Sequence, residues 1–289
     1  MRRLSSLHDP NALQIARELP ENPGKVIWEA CVRYLFVLFI IACLPAMAQE
    51  MYLTPLPETE LTEGQSYHIE WSAAGAQTVN VILQGKRTPL GGKSRGSFNI
   101  VILEGTPAVN CECTFAMPWV DAVTFTLKAK GYDESGHLIS VGEQKYRFRP
   151  AVMANRFEDG IFLDLHLRKN QRLYVQKDRV ITTAYLSSSS ENYSWYAPNV
   201  HPKKPHDHAG VFKVLDKNPN HWSKLYEVRM YWSMRYLSGH FIHATTPNFY
   251  RLLGQPASHG CNRLTKTDAK ALYDVTPIGA RVEVVGPEG

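Results

Sequence analysis

The sequence predicts a mainly β protein, an N-terminal β-sandwich followed by a mixed β-sheet domain with one or two short helices. Three observations predict it. Residues 51–150 contain strand-length runs in which apolar and polar positions alternate, each bounded by Gly, Pro or polar turn residues. Beyond residue 150 further runs of the same length follow. One helix start stands out in this second half: Thr265-x-x-Asp268 has the form of a capping box, and Ala269, Leu272 and Tyr273 give one apolar face behind it. Composition agrees. With 44% hydrophobic and 20% charged residues, the 289-residue chain has enough apolar side chain for a core, which excludes disorder. Its 19 Gly and 18 Pro follow no period, which excludes a collagen-like chain. The net charge of +5 suits an anionic partner but is too small for a nucleic-acid footprint.

Taken in order, the chain divides into residues 1–48, 49–150 and 151–289. In the first part, Leu35 to Leu44 are apolar throughout, follow Arg33 and precede Pro45-Ala46-Met47-Ala48. The run is about half the ~20 residues that a membrane span needs. A basic residue, a short apolar run and an A-x-A site form the pattern of a secretory signal peptide, with cleavage expected after Ala48. The protein is therefore expected to be exported, to the periplasm or cell envelope. Ile40-Ile41-Ala42-Cys43 loosely resembles a lipoprotein box and gives the alternative of acylation at Cys43.

In residues 49–150, strands are predicted at Ser66–Trp71, Thr78–Leu83 and Gly96–Leu103. A hairpin is predicted from Ala122–Ala129 and Leu138–Phe148, turning across Asp133-Glu134-Ser135-Gly136. About seven short strands in about 100 residues suit an immunoglobulin-like sandwich. No paired carboxylates or His cluster are evident in it, so it reads as a spacer or binding module that the chemistry does not need. In residues 151–289, strands are predicted at Ile161–Leu167, Gln171–Val175, Val180–Tyr185, Val211–Leu215, Leu225–Trp232 and Arg281–Val285. The helix from Thr265 is ended by Pro277 and Gly279. The polar stretch Ser187–Pro205 is too long for an ordinary connection and suits a functional loop.

The chemistry is expected at the last cysteine. Of five cysteines, Cys31 and Cys43 fall in the leader, leaving Cys111, Cys113 and Cys261. Cys111-Glu112-Cys113 lacks the second ligand pair that a metal site needs, and a bridge within it would be strained. An odd count in an exported chain flags a reactive thiol. Cys261 sits in Ser258-His259-Gly260-Cys261, with Ile242-His243 shortly before it. A neighbouring imidazole makes a thiol a strong nucleophile at neutral pH. Gly260 permits a tight turn, so that its N–H and that of Cys261 can point at a developing oxyanion. His201, His206 and His208 form a small histidine group with no third ligand identified beside His206 and His208, so no metal is expected.

Here the sequence resembles the L,D-transpeptidase family of bacterial cell-wall enzymes. The signature of that family is His, fourteen intervening residues, Ser or Thr, then His-Gly-Cys. His243 and Ser258-His259-Gly260-Cys261 match it without a gap. Flanking segments resemble the family as well: Gly239-x-Phe241-Ile242-His243, Leu253-Gly254-x-Pro256-Ala257 and Arg263-Leu264. The resemblance covers about residues 159–286. It implies that Cys261 is the nucleophile, His243 the general base, and the Ala244 carbonyl the third member of the triad. His259 and the amides of Gly260 and Cys261 would hold the tetrahedral intermediate. Ser258 and Arg263 would meet the substrate or steady the turn. Two positions depart from the family: Asn262 stands where an aliphatic residue is usual, and His206-Asp207-His208-Ala209 replaces a Thr-Pro segment.

The resemblance implies exchange of a peptide bond in peptidoglycan stem peptides, giving 3–3 cross-links without metal or organic cofactor, and inactivation by carbapenem-type β-lactams. A carboxypeptidase with the same acyl-enzyme and a non-catalytic wall-binding protein are the alternatives. A papain-like protease is disfavoured, because its cysteine precedes its histidine in sequence.

Overall fold

The computed structural model describes residues 50–109, 111–165, 170–189, 209–258 and 260–286. The expectations for residues 1–48, including the Ala48 cleavage site and Cys43, lie outside the described residues. So do those for His201, His206, His208 and His259.

Residues 51–149 form eight strands: β1 Met51–Leu53, β2 Glu60–Thr62, β3 Ser66–Ala73, β4 Thr78–Lys86, β5 Ser97–Pro107, β6 Glu112–Ala116, β7 Thr124–Tyr132 and β8 Leu138–Arg149. They make two sheets, in the orders β1-β3-β6 and β2-β8-β7-β4-β5. Alternation builds the core between them. On β3, Tyr67, Ile69 and Trp71 are buried while Ser66, His68 and Glu70 face outward. The buried residues join Leu83, Phe115, Phe125 and Leu127 in one cluster. Each large side chain buried in this way contributes roughly 1.5–3 kcal/mol relative to exposure. The β7–β8 hairpin turns where the sequence predicts: Asp133 Oδ1 accepts from Ser135 N at 2.9 Å and His137 N at 2.8 Å. Gly136 there takes φ +78°, open to glycine at little cost.

The second half contains β9 Gly160–Asp164, β10 Arg172–Lys177, β11 Val180–Leu186, β12 Gly210–Lys213, β13 Asp216–Ser223, β14 Val228–Leu237, β15 His240–Ala244, β16 Asn262–Leu264, helix α1 Lys266–Val275 and β17 Arg281–Val285. Two sheets result, β11-β10-β9-β17-β12 and β13-β14-β15-β16. Ile161 and Leu163 of β9 enter a cluster with Ile242, Leu264, Leu272 and Val284, whereas Phe162 enters another with Tyr174 and Ile181. Burial on both faces is why β9 reads as a continuous apolar run instead of an alternating one. Helix α1 begins as the capping box predicts. Thr265 Oγ1 accepts from Asp268 N at 3.0 Å and donates to Asp268 Oδ2 at 2.8 Å.

One predicted strand is corrected. Leu225 and Tyr226 lie in the turn of a hairpin between β13 and β14, so the strand starts at Val228. Strand β13 escapes a pattern search because Asp216-Lys217-Asn218-Pro219-Asn220 is polar and carries a proline. It is an edge strand, where a missing ladder N–H is tolerated.

Polar contacts join the two halves, which belong to one compact unit, Gln49–Gly289. Arg149, at the end of β8, donates to Gln176 Oε1 at 3.1 Å and to Arg179 O at 2.7 Å. Gly91 N donates to Asp268 Oδ2 at the start of α1, at 2.9 Å.

Candidate active site

Strands β15 and β16 run parallel, with Ile242 opposite Asn262, His243 opposite Arg263 and Ala244 opposite Leu264. Opposed residues on such strands share a face, and faces alternate along each strand. His243 and Arg263 therefore point one way, and Cys261, in the bend just before β16, lines the cavity on that side. Ile242 and Asn262 point the other way, into the core. On the first face lies a cavity of about 290 Å³ lined by His243, Ala244, Cys261 and Arg263, closed over by Tyr226, Arg229 and Phe249.

His243 is buried, and its Nδ1 lies 2.8 Å from Ala244 O. A carbonyl only accepts, so Nδ1 carries the proton and Nε2 keeps its lone pair. Burial lowers the pKa of His243 from 6.5 to about 4, and Arg263 and His221 push in the same direction, against the Ala244 hydrogen bond. The ring is thus a neutral base at pH 7. Cys261 is half-buried beside it, with Sγ 3.8 Å from Gly239 O in the turn that leads into β15. Burial and the nearness of Cys261 raise the Tyr226 phenol above its ordinary range, and Arg263 opposes them.

The turn before Cys261 is held from inside. Ser258 is fully buried; its Oγ donates to Cys261 O at 2.5 Å and accepts from Gly260 N at 3.1 Å. Two expectations change as a result. Ser258 steadies the turn and does not face substrate, because no part of it reaches the cavity surface. The Gly260 amide is engaged by Ser258 in this structure and does not point at the cavity. What Gly260 supplies is its φ of +137°, which a side chain would oppose. Arg263 donates to Ala257 O at 2.6 Å and lies 5.8 Å over the Phe249 ring, still lining the cavity. Asn262 is buried on the core side, where its Nδ2 donates to Tyr236 Oη at 3.0 Å. Its Oδ1 has no hydrogen-bond partner among the described residues.

Sequence reasoning did not find Tyr226, Arg229 or Phe249, which come from the β13–β14 hairpin and a short helical turn and carry no motif. Nor did it find His221, whose ring packs 4.8 Å from that of Phe241. In the first half, His68, Glu70 and Glu112 converge on the exposed face of the three-stranded sheet, with His68 Nε2 3.6 and 3.4 Å from the two carboxylates. The β3–β6 register brings Glu112 to Glu70, which spacing along the chain hides.

Comparison with known proteins places this geometry. Residues 160–284 match the family model of the L,D-transpeptidase catalytic domain, YkuD. The chain thus carries an L,D-transpeptidase catalytic domain in its second half, and that class is an enzyme class. Among solved structures, the L,D-transpeptidase of Stackebrandtia nassauensis is similar at 23% identity, over 47% of this chain and 61% of that one, with a TM-score of 0.36. This chain therefore spans about three-fifths of that protein's length. An L,D-transpeptidase from Mycobacterium smegmatis is similar at 15% identity, over 81% and 98% of the two chains, TM-score 0.34. L,D-transpeptidase 3 from Mycobacterium tuberculosis, in complex with a faropenem-derived adduct, is similar at 16% identity over 82% and 98%, TM-score 0.35. No curated protein matches the sequence.

Proposed function

We propose that the protein is an L,D-transpeptidase that acts on peptidoglycan stem peptides through a thioester at Cys261. The observation that carries this is the shared face of β15 and β16, which sets a neutral His243, its Nδ1–H tied to Ala244 O, at the same cavity as the thiol. His243 Nε2 takes the thiol proton as Sγ attacks the carbonyl of the residue that precedes a terminal D-alanine. The tetrahedral oxyanion is held by the Cys261 amide and His259. Its collapse breaks the amide bond; D-alanine leaves with the proton from His243. The amine of a second stem then attacks the thioester, gives its proton to His243, and restores the thiol as the new peptide bond forms. Splitting one exchange into two steps is the advantage of covalent catalysis, and no metal or cofactor is needed for it.

Arg263 and Arg229 at the cavity suit a substrate carboxylate. The leader pattern of residues 1–48 supports export to the periplasm or cell envelope, where such a substrate lies, and residues 51–149 are read as an immunoglobulin-like module. Carbapenem-type β-lactams are expected to acylate the same sulfur, because a thiolate that attacks a stem-peptide carbonyl also attacks a strained lactam carbonyl. The test is incubation with a purified stem tetrapeptide, with products separated by mass. A cross-linked dimer plus free D-alanine supports the reading. A tripeptide alone assigns the same site to carboxypeptidase chemistry, and unchanged substrate with no Cys261 adduct removes the proposal.

A further inference from the structure

We propose that Asp121, in the first half of the chain, is a positioning residue for the nucleophile turn; this rests on the reading of Cys261 as the nucleophile. Asp121 and Arg172 are both buried, at 5% and 2% exposure, and Arg172 Nη2 donates to Asp121 Oδ1 at 2.7 Å across the boundary between the two halves. The other carboxylate oxygen accepts from Arg95 at 2.7 Å. A guanidinium is a rigid fork, so fixing Nη2 also fixes Nη1. Nη1 donates to Gln171 O at 3.1 Å.

From Gln171 the contacts run to the thiol. Gln171 Oε1 accepts from both Ser189 N and Ser189 Oγ at 3.0 Å. Ser189 O in turn accepts from Ala257 N at 3.0 Å and Ser258 N at 2.8 Å. Ser258 then holds Gly260 and Cys261 through its hydroxyl, as described above. Gln171 N also donates to Gly254 O at 2.8 Å, so the start of the turn hangs on the same residue. The residue after the thiol is gripped as well, since Ser188 exchanges two backbone hydrogen bonds with Arg263, of 3.1 and 2.8 Å. His243, by contrast, stands on β15. Strand β15 pairs with β16 at Arg263, so the contacts that run from Asp121 hold the thiol's side of that pair. The first half becomes part of the catalytic apparatus instead of a detachable spacer.

Removing the carboxylate charge leaves Arg172 buried without its counterion, so the guanidinium shifts and the turn shifts with it. A displacement of about 1 Å in a reacting group costs up to about a hundredfold in rate. The test uses the full chain as wild type, Asp121→Asn, Arg172→Met and the double variant. Alkylation of Cys261 by iodoacetamide is followed from pH 5 to 9, with the site located by peptide mass, beside the thermal midpoint. In Asp121→Asn the rate at pH 7 is expected to fall ten- to a hundredfold, with the pH profile displaced toward the ordinary thiol range near 8.5. The double variant removes the stranded charge, so it regains much of the midpoint while the slow rate and displaced profile persist. A double variant that recovers both, or a folded Asp121→Asn within twofold of wild type at every pH, overturns the proposal. If wild-type Cys261 reacts no faster than Cys111, the nucleophile assignment itself fails, and the link with it.

Discussion

Each half of the protein brings a histidine and a cysteine together at paired strands, and only one pair faces a common cavity. In the first half, β3 and β6 set Ile69 opposite Cys113 and His68 opposite Thr114. His68 therefore faces solvent while Cys113 turns toward the core, packed against the cluster around Trp71. In the second half, His243 is opposite Arg263, and Cys261 lies two residues before it. A shift of one residue decides the matter, because side chains alternate at a period of two. The lesson is that strand parity and register decide whether a thiol and an imidazole face the same way, and nearness alone is not enough. Burial raises the Cys113 thiol above its ordinary pKa, as expected for a sulfur with apolar neighbours and no imidazole beside it.

The comparison can be broken at the stronger pair first. Cys261→Ala is expected to lower turnover of a stem tetrapeptide by at least ~10³-fold with the fold intact, the order seen when a nucleophile within a cooperating set is removed. Activity within tenfold of wild type would take Cys261 out of the mechanism. His243→Ala should slow carbapenem acylation by roughly 10²–10⁴-fold, the range for a positioned general base. Its pH profile should move toward the free-thiol range near 8.5, as read by intact-protein mass. An unmoved profile would show that the two groups are not coupled.

Burial of His243 also has a thermodynamic signature. Its pKa falls from 6.5 to about 4 on folding, so above pH 6.5 neither state binds the proton and this contribution to stability is complete. As pH falls from 6.5 toward 4, the unfolded chain takes up a proton that the folded one refuses. Stability then declines, by about 3 kcal/mol over the window. Urea unfolding midpoints across this range should show a slope smaller by nearly one proton in His243→Gln; equal slopes would contradict the buried neutral ring. The weaker pair supplies the smallest effects. Cys111→Ser, at an exposed site, should change acylation less than about twofold. Cys113→Ser should cost on the order of 1 kcal/mol for placing a hydroxyl in a partly apolar site, with no change in rate. A large kinetic effect of either would mean that the first half holds a second reactive thiol.

The chain by itself determined the mainly β class, the long strands of the first half, the capped start of α1, and the Cys261/His243 pair with its turn. These are local patterns: alternation on β3, a Thr265–Asp268 box, and a motif at fixed spacing. The Cys261/His243 pair and the start of α1 lie within residues 160–284, the stretch that matches the L,D-transpeptidase catalytic domain. Only the tertiary structure decided that Asn262 is buried while Arg263 lines the cavity, because the β15–β16 register assigns the faces. It also showed Ser258 and the Gly260 amide serving the turn, since hydroxyl and amide meet only once the backbone is folded. The same holds for Tyr226 and Phe249 at the cavity, and for β13, whose polar, proline-bearing sequence is held as an edge strand by its neighbour. The ion pair of Asp121 and Arg172 belongs there too. No local rule predicts a buried guanidinium, because its cost is offset by a carboxylate from a distant part of the chain.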